Sequence, residues 1–282
     1  MALEEALART QQFWWFILHV LSVLSYVVYQ LLSLLSLFRQ APLALASYQY
    51  CLMMVITINF IVLVQQKLIR GVKQLIANAN FQHLTLAAVF YLASFNTGPM
   101  YDALFIHLIP LIFHVVSYFQ LHLIDFIGTL PQQQQLESRV AAWLEEYEPK
   151  SQNMAATAAL FLVLMLLNPI VVRPTAFAHL VAGRWQVALT YLICFAALMI
   201  FAKLSWNENP CTKQQVSEFD AEFGLMLQRV PPLAYLYSKV RNIVVKVLAP
   251  ITVNVPQQPL EEKVQDSLRD ASTPGTTLDT SD

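Results

Sequence analysis

Apolar residues arrive along this chain in long unbroken runs, not in alternation. The first run extends from Phe13 to Phe38 and the second from Leu43 to Val64, and neither contains an Asp, Glu, Lys or Arg. About 20 helical residues cross the hydrocarbon core of a bilayer, and a backbone in lipid must satisfy its own hydrogen bonds. Runs of this length without period-2 alternation therefore predict membrane-spanning helices. Trp14, Trp15 and Phe16 open the first run as an interfacial aromatic belt, and Arg39-Gln40-Ala41-Pro42 closes it. The stretch from Gln65 to His83 is polar and basic, with Leu68, Val72, Leu75 and Ile76 at helical spacing, and reads as a segment on the membrane surface.

The next apolar region, Leu84 to Ile127, is too long for one crossing. Asn96-Thr97-Gly98-Pro99 divides it with strong turn chemistry. This predicts a short third segment, Leu84 to Phe95, and a fourth, Met100 to Ile127. Gly128 to Asn153, with its Gln run and Glu137, Glu145, Glu146 and Glu148, reads as a loop. A fifth segment follows from Met154 to Val172, ended by Arg173-Pro174, and a sixth from Val187 to Leu204. The expected fold is all-α: a polytopic helical membrane protein with about six hydrophobic segments, one pair a short hairpin. The transmembrane domain would occupy 1–204, a cytosolic amphipathic helical region 205–250, and a disordered polar tail 251–282.

Composition sharpens this picture. Hydrophobic residues make up 57% of the chain and charged residues 12%, against about 25% charged in ordinary globular proteins, which excludes a soluble domain. The formal net charge of -1 argues against a nucleic-acid role. Basic residues are also unevenly placed. With an even number of crossings and both termini cytosolic, Arg9, Lys67, Arg70, Lys73, Arg139, Lys150 and the basic residues from Lys203 onward face the cytosol. Only Arg39, Arg173 and Arg184 face the other side. An odd count reverses that bias, so the positive-inside rule selects the even one. The first run is too long for a signal peptide and lacks a small-residue cleavage site, so it is expected to be retained. Cys51, Cys194 and Cys211 fit no metal or disulfide spacing and read as small packing residues.

Beyond the spans, the most informative pattern lies near the C-terminus. Leu233, Leu236, Tyr237, Val240, Val244, Val247 and Leu248 fall on one helical face, while Ser238, Lys239, Arg241, Asn242 and Lys246 fall largely elsewhere. Pro231 and Pro232 start this helix and Pro250 stops it. A basic amphipathic helix can enter the membrane interface, with its cations on anionic headgroups. The alternatives are packing on the protein's own surface or in a partner's groove. The expected membrane-binding set is the seven apolar residues together with Lys239, Arg241 and Lys246. The preceding helix, about Thr212 to Arg229, is acidic at Glu218, Asp220 and Glu222; it is expected to pack on protein and to orient the basic helix.

Candidate chemistry is sparse. The fourth segment carries His107, His114, Tyr118 and His122, flanked by Asp102 and Asp125, and intramembrane ionisable residues are functional candidates by default. Histidine spacings of seven and eight do not match the dense clusters of di-iron membrane enzymes, so these side chains read as interhelical hydrogen-bonding groups. His19 stands alone in its segment and is expected to snorkel near the aromatic belt or to bond a neighbouring helix, and His83 and His179 read as loop residues. No G-x-S-x-G, P-loop, H-E-x-x-H or C-x-x-C motif occurs, and no catalytic, cofactor-binding or metal-binding set is expected. A lipid-handling enzyme or small transporter that uses the His-containing segment stands as the alternative.

Several local features, in order, resemble the transmembrane protein 33 family, also called Krüppel homologue 2, which includes fungal pore-membrane nucleoporins. They are Tyr48-Gln49 opening the second segment, Asn96-Thr97-Gly98-Pro99, and His114-Val115-Val116-Ser117-Tyr118. Asn209-Pro210-Cys211 leaves the last segment, and Leu248-Ala249-Pro250 ends the basic helix. The likeness covers roughly Leu21 to Pro250; the Gln/Glu-rich stretch and the polar tail depart from it. What the resemblance implies is a non-enzymatic, multi-pass protein of the endoplasmic reticulum and nuclear envelope that helps shape membrane and distribute nuclear pore complexes. It further implies association with reticulon-type membrane-shaping proteins and nucleoporins, and a curvature-binding C-terminal helix, here Leu233 to Leu248. A transport receptor that reads basic segments is a further candidate partner.

Overall fold

The computed structural model describes residues 2–35, 42–65, 72–167, 175–229 and 231–250, and among these every regular element is helical. Ten α-helices follow one another: α1 (Ala2–Leu35), α2 (Pro42–Gln65), α3 (Val72–Ala77), α4 (Ala79–Thr97), α5 (Phe105–His122), α6 (Leu130–Leu167), α7 (Thr175–Val181), α8 (Trp185–Glu208), α9 (Pro210–Leu227) and α10 (Pro231–Leu248). Four are long and apolar enough to cross a membrane, over Gln12–Leu35, Pro42–Gln65, Phe105–His122 and Trp185–Asn207. The apolar part of α6, Asn153–Val163, is shorter. The expected polar tail, 251–282, lies outside the described residues, as do Arg39, Lys67, Arg70 and Arg173.

Chain order and packing agree. α1 packs on α2, α2 on α4, and α4 on α8; α5 lies between α1 and α6, and α6 also meets α8 and α9. Lipid offers no hydrophobic drive for one helix to leave it for another, so close packing and polar contacts hold such a bundle together. Tyr48 on α2 is wholly buried against Tyr29 of α1, with ring centroids 5.4 Å apart. Gln49 Nε2 donates to Ser94 Oγ of α4 at 2.9 Å, and Asn96 Nδ2 of α4 donates to Thr190 Oγ1 of α8 at 3.2 Å. Cys51 and Cys194 are buried, and Cys51 Sγ lies 3.5 Å from Ser22 Oγ.

The turn expected at Asn96-Thr97-Gly98-Pro99 is present. Gly98 caps α4 with φ 76° and ψ -170°, a region essentially reserved for glycine, and its N–H donates to the Ser94 carbonyl. A 3₁₀ turn over Tyr101–Leu104 then leads into α5. The preceding segment is longer than expected: α4 begins at Ala79 and spans 19 residues, roughly 28 Å at 1.5 Å per residue. Asn78 sets that start, its side chain accepting from the backbone N–H groups of Asn80 and Phe81. His83 is therefore a helical residue, not a loop residue, and His179 likewise lies within α7.

One expectation is overturned outright. Gly128 to Asn153 is not a loop; from Leu130 it forms the first half of α6, a continuous helix of 38 residues that also contains the fifth segment as far as Leu167, the rest lying outside the described residues. Gln, Glu, Leu and Ala are strong helix formers whatever their polarity. The start is fixed by Gln132, whose Oε1 accepts from the Thr129 N–H at 3.1 Å, the reciprocal half of a capping box. Trp143 anchors this polar half by stacking on Phe113 of α5, with centroids 5.1 Å apart.

Candidate functional site

Two regions collect the polar and basic residues singled out above. The first lies inside the bundle. The start of the span in α1, the second half of α2, the start of α4 and the first half of α5 come together around one cavity. Its volume is about 240 Å³, and four histidines line it: His19 from α1, His83 from α4, and His107 and His114 from α5. Trp15, Asn59 and Asn80 add polar groups, and Val55, Ile58 and Leu111 form apolar walls.

Each ring has a definable role. His83 Nδ1 and His107 Nδ1 stand 3.1 Å apart, so one ring donates to the other. His19 Nδ1 lies 2.8 Å from the Trp15 carbonyl oxygen; a carbonyl only accepts, so this nitrogen carries the proton and Nε2 is left as the acceptor of the neutral ring. The His19 ring also meets His114 edge to face, with centroids 5.5 Å apart. His19 therefore meets a neighbouring helix, one of the two roles its sequence position suggested. Farther along α5, Tyr118 stacks on Phe16 at 4.5 Å and His122 lies against Tyr118 at 4.6 Å, fastening α5 to α1. His114, Tyr118 and His122 share one face of α5, whereas Asp125, expected from sequence on the same stripe, belongs to a separate 3₁₀ turn, Ile124–Phe126. Among the described residues, no group of three or more His, Cys, Asp or Glu side chains is arranged to hold a metal ion.

The second region is the C-terminal pair. Asn209 caps α9 by accepting from the Cys211 N–H at 2.8 Å, and Pro210 occupies the first turn. α9 packs on α6 and α8, with Thr157 Oγ1 donating to Gln215 Oε1 at 3.3 Å. α10 packs on α9 through a compact polar clamp. Arg241 Nε lies 2.9 Å from both Asp220 oxygens, Arg241 Nη2 lies 2.8 Å from Oδ2, and the Tyr237 hydroxyl donates to Oδ1 at 2.5 Å. Phe223 supports the Tyr237 ring edge to face at 5.2 Å. The Arg241 guanidinium, with the Tyr237 hydroxyl, holds the Asp220 carboxyl below its usual range, while burial and that carboxylate push the Tyr237 hydroxyl up to about 12.

The clamp divides the expected membrane-binding set. Tyr237 and Arg241 face α9 on one edge of α10. Val244 and Leu248 are half-buried. On the opposite edge Ile243 is 60% exposed and Val247 64% exposed, and Lys239 and Lys246 are exposed beside them. The side chains of Leu233, Leu236 and Val240 lie outside the described set.

Sequence reasoning missed His19, His83, Asn59 and Asn80 as a group; it expected the acidic helix to orient α10 but did not single out Asp220 from Glu218 and Glu222. A polar Asn59 in the middle of an apolar run was the available signal for the cavity. A contact between residues 21 apart on two helices had none. Comparison of the chain with protein-family models, with curated proteins and with solved structures gives no match.

Proposed function

We propose that this is a non-enzymatic membrane-organising protein of the endoplasmic reticulum and nuclear envelope. On this reading the bundle anchors it through six crossings with both termini in the cytosol, and α10 enters the interface of curved, anionic membrane. The observation that carries the reading is the free edge of α10: Ile243 and Val247 stand exposed with Lys239 and Lys246 together along one flank, while α9 occupies the other edge. An apolar strip rimmed by cations fits an acyl boundary lined by anionic headgroups. The resemblance to the transmembrane protein 33 family supplies the compartment and the process, including reticulon-type proteins and nucleoporins as partners, while the basic tail itself suggests a transport receptor that reads basic segments. The resemblance supplies no nucleic-acid partner and no cofactor.

Within this reading Lys239 and Lys246 carry the electrostatic contact, since Arg241 is already engaged by Asp220. Each basic residue at such a surface contributes about 1 kcal/mol, so losing two weakens binding about 30-fold. Flotation of a peptide from Val230 to Pro250 with small and large liposomes, with and without anionic lipid, tests this. Preferential recovery with small anionic liposomes, lost in a Lys239→Glu/Lys246→Glu peptide, is the expected result. Equal recovery of the two peptides would sink the electrostatic part, and recovery with no liposome would sink the reading.

A further inference from the structure

The histidine cavity has the features of a binding site that the membrane-shaping role does not use. Its lining is polar in a place where polarity is expensive, and it draws on four helices. Two lining residues also carry buried nitrogens without a hydrogen-bond partner: Trp15 Nε1 and His107 Nε2. Buried polar atoms are nearly always paired, so these two report on something that completes the site.

Their chemistry selects the occupant. Indole N–H only donates and therefore needs an oxygen acceptor, whereas an imidazole nitrogen donates or accepts according to tautomer. A hydroxyl group serves both. Among the described residues no Lys, Arg, Asp or Glu lines the cavity, so a phosphate or ammonium headgroup would find no counter-charge from them there. Size and depth narrow the class further. At about 240 Å³ the cavity is smaller than the roughly 300–1,000 Å³ of pockets that enclose a whole drug-sized ligand, so it admits a head and leaves the tail in lipid. Trp15 and His19 lie three and seven residues into the span that begins at Gln12, a depth of roughly 5–10 Å along the helix, below the level of the phosphates.

We infer that this cavity is a binding site for the hydroxyl headgroup of an uncharged membrane lipid, a sterol or a diacylglycerol, held between α1, α2, α4 and α5. The apolar walls from Val55, Ile58 and Leu111 take the first carbons of its body.

Photoactivatable, clickable sterol, diacylglycerol and phosphatidylcholine probes, applied to the full chain in nanodiscs and read by peptide mapping, test the inference. Labelling of peptides containing Asn80–His83 or His107–His114 by a hydroxyl-headed probe, competed by its unlabelled parent, is expected. The probe that labels more strongly identifies the source of the hydroxyl. His114→Phe, at the partly open rim, should lower that labelling at least fivefold, whereas His107→Gln, which keeps a hydrogen-bonding group in place, should lower it less. Monodisperse elution of both variants shows that they remain folded; if His114→Phe aggregates, Asn59→Leu replaces it with the same expectation. Equal labelling by phosphatidylcholine or labelling unchanged in the rim variant would show lipid contact without selection of the hydroxyl headgroup, no labelling would show that no such lipid enters, and each would overturn the inference.

Discussion

α2 and α10 are both helices of ordinary length, yet they are held in opposite ways. α2 is apolar on every side and sits between α1 and α4; eight of its side chains, among them Tyr48, Cys51 and Leu52, are buried. α10 is apolar on one side and basic on the other, touches chiefly α9, and leaves Ile243 and Val247 bare. For α2, apolar character alone says only that the helix belongs in lipid. Its address within the bundle comes from Tyr48 against Tyr29 and from Gln49 on Ser94. For α10 the periphery is the information, since the sequence of charges decides which surface the helix can meet. Losses in α2 should therefore appear as lost stability, and losses in α10 as lost attachment without lost stability.

The largest effect expected is at Tyr48. Replacement by Ala empties a fully buried aromatic site in the centre of the bundle, and such truncations cost about 3–5 kcal/mol. Thermal unfolding of the detergent-solubilised chain should show a large fall in midpoint. The matched control, Val247→Ala on α10, should leave the midpoint unchanged. A fall in both would mean that α10 is part of the bundle's stability and would break the contrast.

A smaller effect is expected at Gly98, where the cost is conformational instead of steric. A Cβ there would meet nothing within 4 Å, yet φ 76° with ψ -170° is a region that side-chain-bearing residues avoid. Gly98→Ala should destabilise the α4–α5 turn by about 1–3 kcal/mol. The same thermal measurement reads it, and an unchanged midpoint would mean that the turn relaxes freely into another conformation.

How far the sequence carried this picture follows from the same contrast. Features that repeat with a period or break with proline and glycine were legible: the α1 and α2 spans, the Gly98 turn, and the start of α10 after Pro231. Features that depend on what a polar residue does inside a helix were not. The Gln run was read as a loop because polarity was weighed above helix propensity, although Gln132 caps the helix and Trp143 docks it. His83 was placed outside a span because it sits among polar neighbours, although Asn78 starts α4 early enough to bring it opposite His107. Pairs across helices, such as His19 with His114 or Asp220 with Arg241, follow from tertiary packing and leave no local period to read.

The subtlest expected effect concerns the clamp that sets which edge of α10 is free. The Arg241–Asp220 pair is largely exposed, and exposed pairs contribute only about 0.2–1 kcal/mol. Asp220→Asn should therefore leave the fold intact and raise hydrogen exchange along α10 by no more than about fivefold. The pH dependence has a definite sign. The Asp220 carboxyl is depressed in the folded chain, so its contribution is present above the ordinary carboxylate pKa and is lost as pH falls through the lowered value. The Tyr237 hydroxyl is raised from 10.0 to about 12, so its contribution is present below 10.0 and is lost as pH climbs toward about 12. Exchange protection of α10, corrected for the intrinsic rate, should be flat between those limits and fall on either side. In Asp220→Asn the acidic fall should disappear. If protection in the wild-type chain changes steadily across neutral pH instead, a group other than Asp220 and Tyr237 orients α10, and the division of that helix into a docked edge and a free edge would have to be redrawn.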